Sequence, residues 1–287
     1  WGTYKIIIDS NGLNYQGEDD SYTVEYSTDG ETLNIVYVDA TKGWIPLNDD
    51  DVTDVPTPPK TQKGIFAYGH TGSNVSMSNL VNSSGVIATD VTGVGSAKNQ
   101  SKACTYGTDK GIVSGGSGAS TTNLISNSGV VASDVTGVGT ARNAMGACTY
   151  GYTKGIFAYG YSGGSLSMSN LISSSGVVGS DVTGVGTARG YTAAAEYGAD
   201  LGIFAFGQPS GFTAVSNLVS NVGVIATDTS GVGTARGSIA AANYGTDKAI
   251  FAYGEAGAGD LSMSNLVSNL GVVASDVSGV GTARYNP

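Results

Sequence analysis

The sequence predicts an all-β chain that consists chiefly of five copies of one unit, and two observations support this. First, no stretch shows a helical period of apolar residues, whereas short runs of β-branched and aromatic residues alternate with glycine-rich turns. Second, the leucine of an SNL or TNL tripeptide recurs in steps of 44, 47, 47 and 48 residues, at Leu80, Leu124, Leu171, Leu218 and Leu266. A near-constant period in the forties is typical of propeller blades and solenoid repeats, which pack mainly against their neighbours.

Each copy offers four candidate strands. In the clearest copy, Lys154–Gly198, these are KGIFAYG, SNLIS, GVVGSD and AAAEYG. Four-stranded units at this period predict a five-bladed β-propeller over residues 63–287, and an open β-solenoid-like array is the alternative. The AAxYG strand occurs only four times, so the strand that completes one blade must come from the preceding segment or from further chain.

Two segments precede the repeats. Residues 1–48 contain three strand-like runs, YKIIID, SYTVEYS and TLNIVYVDA, and predict a small antiparallel β domain. Its core is marginal for its size, so we expect it to need a partner chain or the following domain. Residues 49–62 are acidic and proline-rich, which predicts a semi-rigid linker, with a long surface loop as the alternative.

Charge is concentrated at the start of the chain. The net charge is -10, of which residues 1–60 carry -9 and the remainder only -1. A near-neutral repeat region has no basic stripe, so no nucleic-acid partner is expected. No run of eighteen apolar residues occurs, so no membrane insertion is expected either.

A basic residue and an aspartate recur in every copy. We predict that the basic residue bonds carbonyls or pairs with an aspartate between blades, and that the aspartate caps a turn. One carboxylate per copy does not make a calcium loop, and the single histidine excludes a histidine-rich centre. No catalytic residue, metal or cofactor is therefore expected. The repeated residues are Lys98, Arg142, Arg189, Arg236 and Arg284, with Asp90, Asp134, Asp181, Asp228 and Asp276.

The copies differ most in two places, after the AYG tripeptide and after the repeated arginine. Loops on a rigid scaffold are the usual binding elements, and aromatic side chains there could stack on sugar rings. The candidate ligand-binding residues are His70, Tyr161, Tyr191 and Phe212. Simple variation of loops without a ligand is the alternative.

The unit A-R-x-x-x-A-A-A-x-Y-G-x-D-K-A-I-F-A-Y-G resembles the Kelch repeat, which implies a propeller. Gly115–Gly116 keeps the Kelch Gly-Gly doublet, whereas other copies have Tyr-Gly or Phe-Gly, and the Kelch tryptophan is absent. Residues 30–44, GETLNIVYVDATKGW, are similar to a segment of tail-fibre and virion proteins of tailed phages. The TGVGTAR tract is also similar to repeats in phage-encoded proteins. This second resemblance implies an assembly protein, often trimeric, that presents a distal domain to a host.

The expected function is a non-enzymatic virion or appendage structural protein of the phage tail-fibre type. Its propeller loops would contact a host-surface glycan or protein receptor, and its first domain would hold a homotrimer. The expected location is the virion surface or the extracellular space. The alternatives are a filament or capsid-decoration protein without a ligand, and a propeller hydrolase or oxidase, which the lack of a candidate catalytic pair disfavours.

Overall fold

The computed structural model describes residues 6–18, 24–26, 33–47 and 64–286, and within these ranges it shows only strands, turns and loops. The all-β prediction is therefore confirmed. The predicted linker, residues 49–62, lies outside the described residues. The chain divides into two compact units, with the boundary before Gly64 and with Asn82–Gly85 grouped with the first unit. The described residues contain no helix that is long and apolar enough to cross a membrane.

The first unit contains two antiparallel strand pairs. Strand β1 (Ile6–Ile8) pairs with β2 (Val24–Tyr26), and β3 (Ile35–Asp39) pairs with β4 (Gly43–Pro46). Tyr15, Val24 and Tyr26 are the buried members of its apolar cluster. This core is small. Inside it, a 2.5 Å hydrogen bond joins the hydroxyls of Tyr15 and Tyr26.

The chain contains five repeats, which we define as residues 64–98, 102–142, 146–189, 193–236 and 240–284; all of them except Asn82–Gly85 belong to the second unit. Repeat 1 has a two-stranded antiparallel sheet, and repeats 2 to 5 each have a three-stranded one. The strands are β5 (Gly64–His70) and β6 (Asn74–Val81) in repeat 1; β7 (Lys102–Tyr106), β8 (Lys110–Ser114) and β9 (Thr122–Ile125) in repeat 2; β10 (Gly146–Tyr150), β11 (Lys154–Ala158) and β12 (Ser169–Ile172) in repeat 3; β13 (Ala193–Tyr197), β14 (Leu201–Gly207) and β15 (Thr213–Val219) in repeat 4; and β16 (Ala240–Tyr244), β17 (Lys248–Ala252) and β20 (Ser264–Val267) in repeat 5, which adds the short hairpin β18 (Glu255–Ala256) and β19 (Gly259–Asp260).

The predicted strand that corresponds to GVVGSD is not a regular strand. In repeat 4 the backbone of this segment pairs with β15 through two isolated bridges, Val219 with Ile225 and Ser216 with Thr229. Ser216 and Val219 are three residues apart, whereas their partners Thr229 and Ile225 are four residues apart. The one extra residue interrupts the ladder as a β-bulge does. The prediction of four-stranded blades is thus corrected to three strands, or two in repeat 1, plus a bridged segment.

The apolar core of the second unit forms between consecutive repeats. The isoleucines of this strand in repeats 2 to 4, Ile112, Ile156 and Ile203, are completely buried, whereas Ile65 and Ile250 in the terminal repeats are partly buried. Rings of neighbouring repeats meet edge to face, with centroids 5.4 Å apart for Tyr159 and Phe204 and 5.6 Å apart for Phe206 and Phe251. This packing of each unit against the next is what a repeat architecture requires.

Candidate functional site

Four polar residues bond to one another at the junction of repeats 3 and 4, and we call this arrangement the junction network. Arg189 Nη2 donates to Asn217 Oδ1 at 2.7 Å, and Nη1 donates to the carbonyl of Thr187 at 3.1 Å. Asn217 Nδ2 donates to Asp228 Oδ1 at 2.9 Å. The other oxygen, Asp228 Oδ2, accepts from the hydroxyl of Thr187 at 2.6 Å and from its amide at 3.0 Å. Two residues of each repeat therefore close one hydrogen-bonded circuit.

The same circuit joins repeats 2 and 3 and repeats 4 and 5. It consists of Arg142, Thr140, Asn170 and Asp181, and of Arg236, Thr234, Asn265 and Asp276. The junction of repeats 1 and 2 uses Lys98, Ser96, Asn123 and Asp134 in the same places, but Lys98 Nζ donates to the carbonyl of Thr121, at 3.5 Å, as well as to Asn123. The basic residues of these junctions are at most 2% exposed. The asparagine was not among the residues that sequence reasoning selected, although the SNL tripeptide repeats it in every copy. Its side chain links a basic residue to a carboxylate, a role that the spacing alone does not reveal.

In repeats 1, 3, 4 and 5, an aromatic residue in the left-handed conformation stacks on the repeated basic residue. Arg189 Cζ lies 3.9 Å from the centroid of the Tyr159 ring, and Tyr159 has a φ of 62°. Such a φ costs an L-residue about 1–2 kcal/mol, so the surroundings must hold it. The next amide, that of Gly160, donates to the carbonyl of Arg189 at 2.9 Å. The equivalent aromatic residues Tyr68, Phe206 and Tyr253 share this conformation, and repeat 2 has Gly115 there.

The electrostatics of the junction network favour a structural role. Burial acts to raise the pKa of Asp228, but hydrogen bonds from Thr187 and Asn217 outweigh it and hold the pKa below its usual value. Burial also acts to raise the pKa of Asp181 and Asp276, and hydrogen bonds from the equivalent threonine and asparagine again hold it below its usual value. A carboxylate that is ionised and fully bonded in this way is not available as a general acid. Within the described parts of the chain, no group of three or more His, Cys, Asp or Glu side chains could hold a metal.

Glycine is required where the chain passes the aspartate of the next repeat. Gly233 has a φ of 81°, and an added Cβ would overlap Asp276 Oδ1. Gly281 occupies the same position in repeat 5 with a φ of 83°, but the nearest atom to its Cβ would be the hydroxyl of Tyr253 at 3.8 Å. The two glycines therefore share a backbone conformation and differ in their surroundings.

We expect Gly233→Ala to lower the free energy of unfolding by about 2 kcal/mol more than Gly281→Ala, since both pay the same conformational cost and only the first displaces Asp276. Chemical denaturation of the two variants measures the difference. Equal losses would show that the overlap is relieved without cost.

The variable loops of consecutive repeats are bonded to one another and form a continuous row, which we call the loop row. It comprises residues 70–74, 99–101, 116–120, 143–145, 161–165, 190–192, 208–212, 237–239 and 255–260. Tyr161 N donates to the carbonyl of Asn143 at 2.8 Å, and Tyr191 N donates to that of Ala144 at 2.8 Å. Gln208 Nε2 donates to Glu255 Oε1 at 3.1 Å. Loops with different sequences thus share one surface.

The four ligand-binding residues predicted from the sequence all lie in the loop row. His70 is exposed, with Nδ1 3.2 Å from Asn74 Oδ1. The Tyr161 side chain is 44% exposed, whereas Tyr191 and Phe212 are partly buried. Tyr191 also links its neighbours, because its carbonyl accepts from the amide of Ser238 at 3.1 Å. Tyr161 and His70 are therefore the candidates most accessible to a ligand.

Comparison with known proteins identifies no family. No protein-family model matches the chain, and no curated protein matches it. Solved structures do match, among them a fungal alcohol oxidase of the AA5 family in complex with copper, at a TM-score of 0.48 and 13% identity. The match covers 79% of this chain and 64% of that one, so the present chain spans less than two thirds of the oxidase.

The expectation of a phage tail-fibre or virion structural protein is wrong: a solved structure that resembles this chain is a fungal alcohol oxidase. The structure gives a physical reason for the error. In repeats 2 and 3 the TGVGTAR tract supplies the left-handed glycine, the Thr and the Arg of the junction network. The tract therefore reports how repeats pack, and packing residues carry no information about the assembly to which they belong.

Proposed function

We propose that the second unit is an array of five Kelch-like blades that acts as a non-catalytic recognition scaffold, with the loop row as its binding surface. One observation carries the proposal. The repeated polar residues bond to one another in the junction networks, whereas the residues that vary between copies lie in the loop row. We favour an open array over a closed ring, since Arg284 and Phe66 in the two terminal repeats are exposed.

The composition of the loop row suits recognition. Tyrosine supplies a large contact area with little loss of side-chain freedom, and Ser, Gly and Asn supply adaptable hydrogen bonds. The repeat region is nearly neutral, so an uncharged ligand fits better than a polyanion. We therefore propose a neutral glycan as the ligand class, held by stacking on exposed rings such as that of Tyr161.

The state of the reactive side chains supports a non-catalytic role. Burial raises the pKa of Cys104 to about 12, and it raises that of the buried Cys148 thiol as well. Neither thiol forms the nucleophilic thiolate at neutral pH. The junction aspartates are bonded to an asparagine and to a threonine or serine, and His70 Nδ1 lies 3.2 Å from Asn74 Oδ1. The predicted location outside the cell and the predicted trimer through residues 1–48 stay predictions.

The matched pair Tyr161→Ala and Tyr152→Ala tests the binding surface. Both tyrosines belong to repeat 3 and are exposed, at 44% and 66%, but Tyr152 lies in the turn before β11 and Tyr161 follows the other end of that strand. We expect Tyr161→Ala to weaken glycan binding roughly tenfold and Tyr152→Ala to leave it unchanged.

A glycan array with the intact chain, followed by titration of any hit with both variants, gives the measurement. Absence of binding to any glycan contradicts the proposal. So does an equal loss in both variants, because it would place the contact outside the loop row.

A further inference from the structure

The two terminal repeats expose positions that are buried in the inner repeats. Phe66 of repeat 1 is 62% exposed, whereas the equivalent residues Phe157, Phe204 and Phe251 are at most 1% exposed. At the other end, Tyr244 of repeat 5 is 40% exposed, against 4% for its equivalent in repeat 4. Each terminal repeat therefore presents an unburied copy of an interface that the inner repeats close.

The two terminal faces carry opposite halves of the junction network. On repeat 1, Asn79 Nδ2 donates to Asp90 Oδ1 at 2.8 Å, as in every inner repeat. On repeat 5, Arg284 Nη1 donates to the carbonyl of Thr282 at 3.2 Å, as in the inner repeats. Among the described residues, Asn79 Oδ1 and Arg284 Nη2 lack the bond that joins their equivalents. One face thus supplies the missing donor and the other supplies the missing acceptor.

The exposed Arg284 is already held in the geometry that the inner arginines use. Its Cζ lies 3.7 Å from the centroid of the Tyr253 ring, and the Gly254 amide donates to its carbonyl at 2.9 Å. Little side-chain freedom remains to be lost when an acceptor arrives, and such preorganisation favours binding.

The apolar parts of the two faces also match. In the inner repeats a phenylalanine packs on the aromatic residue of the preceding repeat, as Phe251 does on Phe206. Among the described residues, no ring packs edge to face on Phe66 or on Tyr253. Phe66 of one copy and Tyr253 of another would restore this contact.

We propose that the chain associates head to tail, with repeat 5 of one copy docked on repeat 1 of a second copy. Arg284 and Thr282 of one copy then complete a junction network with Asn79 and Asp90 of the next. Two different faces meet in this contact, so it is heterologous and can propagate into longer chains or close into a ring of copies.

Two single variants, each damaging one face, test the proposal. Arg284→Glu removes the hydrogen-bond donor on repeat 5, and Phe66→Asp places a charge on the apolar face of repeat 1. Both residues are exposed, so thermal unfolding should show folded variants. We expect wild-type mass in analytical ultracentrifugation to rise with concentration, and each variant to raise the dissociation constant roughly a hundredfold. Tyr152→Asp, at an exposed turn outside both faces, is the control and should associate like wild type.

Mixing the two variants gives the decisive result. Each retains one intact face, so an equimolar mixture should form a complex of two copies that does not grow further. A wild-type chain whose mass stays constant up to millimolar concentration overturns the proposal. Closure of repeat 5 on repeat 1 within one copy would give that result. Association that survives both substitutions, or a mixture that fails to pair, overturns it as well, because the contact would then lie elsewhere, for example in residues 1–48.

Discussion

Arg189→Ala should lower the free energy of unfolding by about 3–5 kcal/mol, the cost of breaking a buried charged network. The guanidinium is completely buried and donates to three acceptors, through Nη1 and Nη2 within the junction network and through Nε to the carbonyl of Phe206 at 2.9 Å. Its removal also leaves a cavity over the Tyr159 ring and takes away the cation nearest to the carboxylate of Asp228.

The control for this variant is Arg284→Ala. Arg284 stacks on its own tyrosine in the same way but is exposed, so its loss should cost at most about 0.5 kcal/mol in dilute solution. Urea denaturation of both variants gives the comparison. Similar losses at the two sites would mean that stacking, rather than the junction network, supplies the stabilisation.

Phe204→Ala should cost about 3–5 kcal/mol, because it removes a large side chain from a closely packed interface between repeats. The ring is completely buried against Tyr159, and an added Cβ on Gly146 would lie only 2.7 Å from Phe204 Cδ1. The site therefore has little freedom to collapse around the cavity.

Phe66→Ala changes the same residue of the repeat at an exposed site, so we expect a loss below about 1 kcal/mol. Thermal unfolding followed by circular dichroism separates the two results. A large loss from Phe66→Ala would mean that the ring is covered in solution, and the outcome of the mixing experiment would identify what covers it.

Much of the local structure could be predicted from the sequence. The KGIFA, SNL and AAxYG tracts form strands as predicted, because β-branched and aromatic residues between glycine turns favour strands wherever they pack. The GVV tract, which is GVI in repeat 4, was also predicted as a strand because it is equally apolar, but a bulge reduces it there to two bridges. Strand pairing depends on register with a neighbour, which composition does not specify.

The candidate site could be predicted only in outline. The loop positions of Tyr161 and His70 follow from where the copies differ, and that comparison needs only the sequence. Asn217 was missed, since an asparagine next to a leucine in a strand has no distinctive spacing. Its role depends on a hydrogen bond from Arg189, which lies 28 residues earlier in the chain and belongs to the preceding repeat.

The sequence by itself determined that the chain is a set of five β-repeats and that its repeated residues serve packing between units. Only the tertiary structure decided which of those residues are partners, because every repeated residue has the same period and a period cannot distinguish one pairing from another. It also decided that the roles of identical residues differ with position. Arg236 is buried and bonded, whereas Arg284 is exposed, since burial depends on whether another repeat follows in space.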